Sequence, residues 1–215
     1  MSSIAARIED ASLGFAQPSQ QSFYDGWLLR YSPGKARRAR SINAIGAGVL
    51  PVEDKLAYCI DFYAGHSMQC LFRITPFSQP QELDHKLKAA GFEADQDTRV
   101  MRLDLLNAPR LATSPAVRAI DVDQFAQAFG RLHRLDAAKT DAERARYARS
   151  IDTTFVAQFE DEMPIACGSV AVEGAVAGIF GMVTAESHRG RGIASALVAS
   201  LLEHARNAGA HTAYL

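Results

Sequence analysis

Arg189, Gly190, Arg191, Gly192, Ile193, Ala194 and Ser195 stand between an apolar run, Ala175 to Thr184, and a stretch in which Ala194, Leu197, Val198, Leu201, Leu202 and Ala205 share one stripe. A strand, a glycine-rich turn and a helix start in that order make a cradle for an anion. The first N–H groups of a helix have no partner within it and sit at the positive end of its dipole. Gly190 and Gly192 carry no side chain to keep a phosphate from those groups, and Arg189 and Arg191 add positive charge.

The spacing excludes two common phosphate loops. It is not Gly-x-Gly-x-x-Gly followed by an acid for a ribose, and it lacks the Gly-Lys-Ser/Thr of a Walker A loop. Arg189-x-x-Gly192-x-Ala194 does resemble the Arg/Gln-x-x-Gly-x-Gly/Ala signature of the GCN5-related N-acetyltransferases, the GNAT family. The resemblance runs from about Ile165 to Leu215, taking in the strand before the loop and Ala208-Gly-Ala-His-Thr-Ala-Tyr-Leu after the helix. It implies the GNAT acyl-CoA N-acyltransferase fold, an α/β architecture on a mixed sheet, with acetyl-CoA as co-substrate. On that basis the N–H groups of Arg191 to Ser195 take the pyrophosphate. The backbone of Met182 and Val183 meets the pantetheine, and the Val183 amide faces the acetyl carbonyl as oxyanion donor. Gly181 allows the local splay that frees such a group.

The implied activity is transfer of acetyl to a primary amine on a small molecule or peptide. Direct attack is expected, because no cysteine or serine stands with a base at nucleophile spacing. A general base is harder to name, since Ala175–Thr184 contains no ionisable side chain. Glu160, Glu173 and Glu186 are the nearest acids. Glu173, just before the strand, is the candidate, against the reading of a solvated turn residue. His133 ends a helix and competes with a simple dipole-favoured terminus; His188 leads into the loop; Tyr214 reads as packing. Two further readings stay open: a CoA-binding or sensing module of the same fold without catalysis, and a binder of some other phosphate ligand.

Bulk properties narrow the setting. The chain has 215 residues, 48% hydrophobic and 22% charged, with net charge −1, which gives no electrostatic case for nucleic acid or a membrane surface as partner. The first ten residues lack a signal-peptide core, and Cys59, Cys70 and Cys167 are scattered in apolar settings. A cytoplasmic protein with reduced thiols is expected. The six histidines show no ligand spacing, so no metal is expected.

The elements that must position the loop fall into two halves. The expected division is residues 1–106, a linker at 107–115 around Pro109 and Pro115, and the acetyl-CoA-binding domain at 116–215. In the first half the patterns predict a helix from Ile4 to about Phe15, a tight turn at Asp25-Gly26 before a strand, and a strand near Ser41–Ile45. A helix from Pro51 then puts Leu56, Cys59, Ile60 and Tyr63 on one side. A strand at Leu71–Thr75, a helix over Leu83–Ala90 stopped by Gly91, and a strand over Thr98–Leu105 complete it. Leu83-x-x-x-Leu87-x-x-x-Gly91-Phe92 and Tyr24-Asp-Gly-Trp-Leu-Leu-Arg resemble GNAT elements, which implies a smaller, degenerate GNAT-like half without a phosphate loop, against the reading of an unrelated α+β cap. Lys35, Arg37, Arg38 and Arg40 form a basic loop that is either solvated or holds an anionic group; Phe23, Tyr24, Trp27 and Tyr31 are expected along one strand, mainly in the core.

The second half predicts helices over Asp121–His133 and Asp141–Ser150, strands over Thr153–Phe159, Ile165–Val172 and Ala175–Thr184, then the loop, its helix and a strand at Thr212–Leu215. Family members continue with a helix and two more strands. Here the expectation is either that the sequence is truncated part-way into the strand ending at Leu215, or that the closing elements come from the first half, with Leu83–Leu105 as candidate, or from a second copy, for which the sheet edge at Leu215 is a pairing site.

Overall fold

The computed structural model describes residues 3–32, 36–150 and 152–215. The chain forms two compact units, Pro18–Arg99 and a larger one made of Met1–Gln17 with Val100–Leu215.

The smaller unit is a four-stranded sheet in the order β1 (Gln20–Tyr24), β2 (Trp27–Tyr31), β3 (Ile42–Asn43), β4 (Phe72–Arg73). Asp25 and Gly26, at φ 40° and 83°, make the two-residue turn between β1 and β2, as the Asp-Gly pair predicts. The aromatic run therefore spans two paired strands. Trp27 is fully buried, whereas Phe23 is 69% exposed. Helix α2 (Val52–Gly65) crosses between β3 and β4, which run parallel. It buries Leu56, Cys59 and Tyr63 against Trp27, Leu29 and Ile42, while Ile60, expected inside, is exposed. The helix α3 (Leu83–Ala89) adds Leu83 and Leu87 to this core and stops at Gly91, φ 85°. Lys35 lies outside the described residues; Arg37 pairs with Asp95.

The larger unit is a six-stranded sheet, β5-β10-β9-β8-β7-β6. Its central meander is β7 (Thr153–Glu160), β8 (Met163–Glu173) and β9 (Val176–Thr184), all antiparallel; the first turn is Asp161-Glu162 rather than the longer one expected. Strand β10 (Thr212–Tyr214) is parallel to β9 and reached through helix α6 (Ile193–Asn207). Both units thus share one plan: antiparallel strands, then a helix crossing to a parallel neighbour. The edge strand β6 (Val117–Ile120) was not foreseen; it is four residues long, follows Pro115, and has exposed residues at its centre.

Two contacts redraw the expected division at residue 106. Strand β5 (Arg102–Asp104) pairs antiparallel with β10, so the Leu83–Leu105 segment does supply a strand beside it. Helix α1 (Ile4–Phe15) packs Ile8, Ala11 and Phe15 on Ala171, Val176 and Tyr214.

Side-chain alternation gives the sheet two buried faces. On one, α6 sets Leu197, Leu201, Leu202 and Ala205 on Val156, Ala166, Val170 and Ala177. Ile193 is buried where the stripe placed Ala194, which is exposed. On the other, α4 (Val122–Leu132) and α5 (Ala137–Ala148) bring Phe125, Ala128 and Tyr147 onto Phe155, Ala157 and Cys167. Asp121 caps α4 through a reciprocal capping box with Gln124, at 2.7 and 3.1 Å. Helix α5 starts four residues earlier than expected, where Asp136 accepts the Lys139 N–H at 2.8 Å. Among the described residues no helix is long and apolar enough to cross a membrane.

Candidate active site

The strand, the glycine turn and the helix start follow one another in the order the sequence predicts. After β9 a 3-10 turn (Glu186–His188) leads to Gly190 and Gly192, both at φ 76° in the left-handed region. Gly192 is the N-cap of α6, and no side chain caps the helix. The first amides of α6 are therefore left for a ligand or solvent. A Cβ on either glycine would meet nothing within 4 Å, so the space in front of the amides is open. Arg189, Gly190, Arg191, Gly192, Ala194 and Ser195 are exposed there, and only Ile193 turns inward. Open donors at a helix start flanked by two arginines fit a diphosphate such as that of coenzyme A. Arg189 is partly engaged already. Its Nε donates to Thr184 O at 3.4 Å, and its Nη1 lies 3.9 Å from Glu186.

The turn before the cradle is tied to the sheet. His188 Nε2–H donates to Glu160 Oε2 at 3.0 Å, at the end of β7, and Nδ1 lies 2.8 Å from the Ser187 hydroxyl oxygen. The contact joins residues 28 apart and has no local signal in the sequence.

Strand β9 breaks step in its middle. Phe180 pairs with Ser169 and Val183 with Cys167, so Gly181 and Met182 together face Gly168, a bulge with Gly181 at φ 61°. β10 pairs with β9 only across Val176–Gly178. Ala185 N–H donates to Ile165 O on β8 at 2.8 Å. Counting back by the two-residue period, Val183 presents its amide to β8, while Met182 and Thr184 present theirs to the opposite edge, past the end of the β10 pairing. The sequence reading set the Val183 amide as oxyanion donor; ladder phase turns that group to β8 and its neighbour Met182 to the edge.

Glu173, the candidate general base of the sequence, stands away from the bulge. It pairs with Val176 at the far end of β9, and Met182 is six residues further on, roughly 20 Å at the rise of a strand. Its carboxylate lies against α1, where a Cβ on Gly14 would be 2.9 Å from Oε2. The reach along the strand, invisible without register, removes it from the bulge. His133 is the C-cap residue of α4 with its ring 4.3 Å from that of Phe129. Tyr214 is buried edge-on to Phe180 at 5.8 Å.

The thiols are poor nucleophiles. Burial raises Cys167, next to Val183 across the ladder, to about 12. Burial likewise raises Cys59 to about 12 and Cys70 to about 11. Among the described residues no group of three or more His, Cys, Asp or Glu is placed to hold a metal ion.

Comparison with known proteins bears on residues 116–215, which match the model of the Acetyltransferase (GNAT) family. No curated protein matches the sequence. Among solved structures, a GCN5-related N-acetyltransferase from Kribbella flavida superposes with a TM-score of 0.75 at 18% identity, covering 100% of this chain and 86% of that one. Glucosamine-6-phosphate N-acetyltransferase from Arabidopsis thaliana aligns at 20% identity over 44% of this chain and 76% of its own, with a TM-score of 0.36. The bulged strand, the uncapped helix start and the parallel strand beyond it thus belong to the GNAT fold, and residues 116–215 match the GNAT acetyltransferase family.

Proposed function

We propose that the protein transfers an acetyl group from acetyl-CoA to a primary amine by direct attack. The observation that carries this reading is the uncapped start of α6 above two left-handed glycines, directly after a strand whose bulge faces an unpaired edge. Bound there, acetyl-CoA supplies an activated thioester. The amides of Arg191 to Ser195 hold its diphosphate, with Arg189 and Arg191 adding charge. The Met182 amide, aimed at the edge, stabilises negative charge on the acetyl oxygen, which is the largest contribution a backbone group makes to acyl transfer. Protonated, buried thiols favour attack by the amine itself over a cysteine acyl-enzyme.

The smaller unit fits a degenerate copy of the same plan, since β3, α2 and β4 repeat the order and parallel pairing of β9, α6 and β10. A second reading, CoA binding without turnover, draws on the absence of any ionisable side chain along β9 and on the distance of Glu173.

Calorimetry with coenzyme A, NAD and ATP tests the ligand, and release of free CoA thiol across a panel of amines tests the reaction. Binding of coenzyme A alone, with amine-dependent thiol release, is expected. Binding without release on any amine favours the second reading, and no binding overturns both.

A further inference from the structure

The bulge in β9 has a neighbour that acetyl transfer, as described, leaves unused. A Cβ on Gly181 would lie 2.6 Å from Tyr147 Oη and 2.9 Å from Phe125 Cζ, so the phenol oxygen rests on the glycine backbone itself. Tyr147 comes from the last turn of α5, is 5% exposed, and stands edge-on to Phe125 at 4.7 Å. Arg146 lies over its ring, with Cζ 3.9 Å from the centroid. Arg146 in turn donates from Nε and Nη2 to Glu143 Oε2, at 2.9 and 2.6 Å. Glu143 and Tyr147, both buried, and the half-buried Arg146 between them thus form a polar row on an otherwise solvated helix, and the row ends at the bulge.

The other side of the bulge is pinned as well. Ser169 Oγ donates to Phe180 O at 3.1 Å, and a cavity of about 20 Å³ opens between Phe15, Arg146, Tyr147, Ser169 and Phe180. Packing alone does not account for such a row. Phenylalanine would fill the ring site without burying a hydroxyl, and a buried ion pair is at best neutral for stability against apolar residues of the same shape. What the hydroxyl adds is a fixed stop above Gly181.

We propose that Tyr147 is a positioning residue of the acetyl-transfer site: its hydroxyl holds the Gly181 bulge and so aims the Met182 amide at the thioester carbonyl. The inference rests on the acetyl-transfer reading. A backbone donor contributes only when held in line with the oxygen it serves, and a glycine at the bulge has no side chain of its own to fix the peptide. The Tyr147 oxygen supplies that restraint from outside the strand.

The test compares acetyl-CoA with coenzyme A, which lacks the carbonyl, by calorimetry on the full chain. In Tyr147→Phe, which removes that stop, the Kd for acetyl-CoA is expected to rise about fivefold, with that for coenzyme A unchanged. Gly181→Ala, strained at φ 61° and pressed on Oη, is expected to lose acetyl-CoA preference more severely. Adding Tyr147→Phe to it should restore part of that preference, which a purely structural role would not do. Equal shifts for both ligands, or no shift, overturn the role of Tyr147 while leaving acetyl transfer standing. A wild-type chain that binds neither ligand overturns acetyl transfer, and this inference with it.

Discussion

Asp25 Oδ2 accepts the amide of Leu50 at 2.9 Å, and the same carboxylate takes the amide of Val49 at 2.9 and 3.0 Å. These amides stand just before α2, the place that Gly190 and Arg191 hold before α6. In the smaller unit the protein's own carboxylate therefore fills the position that the larger unit leaves open. Lys55 sits behind it, fully buried, donating to Asp25 O at 2.6 Å and Ala47 O at 2.8 Å, with Oδ2 at 3.2 Å.

Coenzyme A is accordingly expected to bind once per chain. The Val49 and Leu50 amides, with Lys55 assisting, hold the Asp25 carboxyl below its ordinary 3.8. A depressed folded value stabilises fully above the unfolded value and is lost as pH falls through the folded one. Melting curves between about pH 3 and 7 should show Asp25→Asn less stable at neutral pH but with a shallower acid decline than wild type. Parallel declines, or a calorimetric stoichiometry of two, contradict this account.

Gly192→Ala separates strain from function. Nothing lies within 4 Å of the added methyl, so the stability cost is that of the left-handed backbone at φ 76°, about 1–2 kcal/mol. In a domain of this size that lowers Tm by about 2–8 °C. Gly174, in the β8–β9 turn at φ 55°, is equally open and lies at the other end of β9 from the cradle. Gly174→Ala should match the thermal loss and leave coenzyme A affinity intact, whereas Gly192→Ala should weaken it about tenfold. Equal affinities in the two variants would remove the diphosphate from α6.

Cys167 decides whether the acyl group ever rests on the protein. With the thiol raised to about 12, the thiolate is scarce at neutral pH. Cys167→Ala should cost about 1 kcal/mol or more of stability, for the small void it leaves, and keep acetyl transfer within about twofold. A folded variant that no longer transfers acetyl would falsify direct attack.

The strand, turn and helix of the candidate site were legible because every part of them is local: turn glycines, a striped helix and an apolar run are contiguous from Ala175 to Ala205. What it hid depends on register and on contacts far apart in the chain. Glu173 looks close to the strand but pairs at its far end. Val183 and Met182 differ by one residue, and only the ladder to Ile165 says which amide faces outward. Tyr147 was concealed by the charge around it. Its one signal is the four-residue step from Glu143, which places both on the buried side of α5. The boundary at 106 followed prolines, whereas α1 and β5 pack with strands more than 100 residues later.

The contact of His188 with Glu160 gives the most direct handle on the cradle's geometry. The turn Glu186–His188 has no cap of its own and hands the chain to two glycines, so its placement depends on the tie to β7. His188 is mostly buried in this contact, with 15% of its side chain exposed, against 60% for Glu160. A partly exposed pair of this kind contributes about 0.2–1 kcal/mol, so Glu160→Gln should raise the Kd for coenzyme A by no more than about fivefold. His188→Ala also frees Ser187 and should do more. The double variant should fall short of the sum, because both changes cut the same link. Full additivity would mean that the two residues act on the ligand separately, and the turn is then held by something other than their bond.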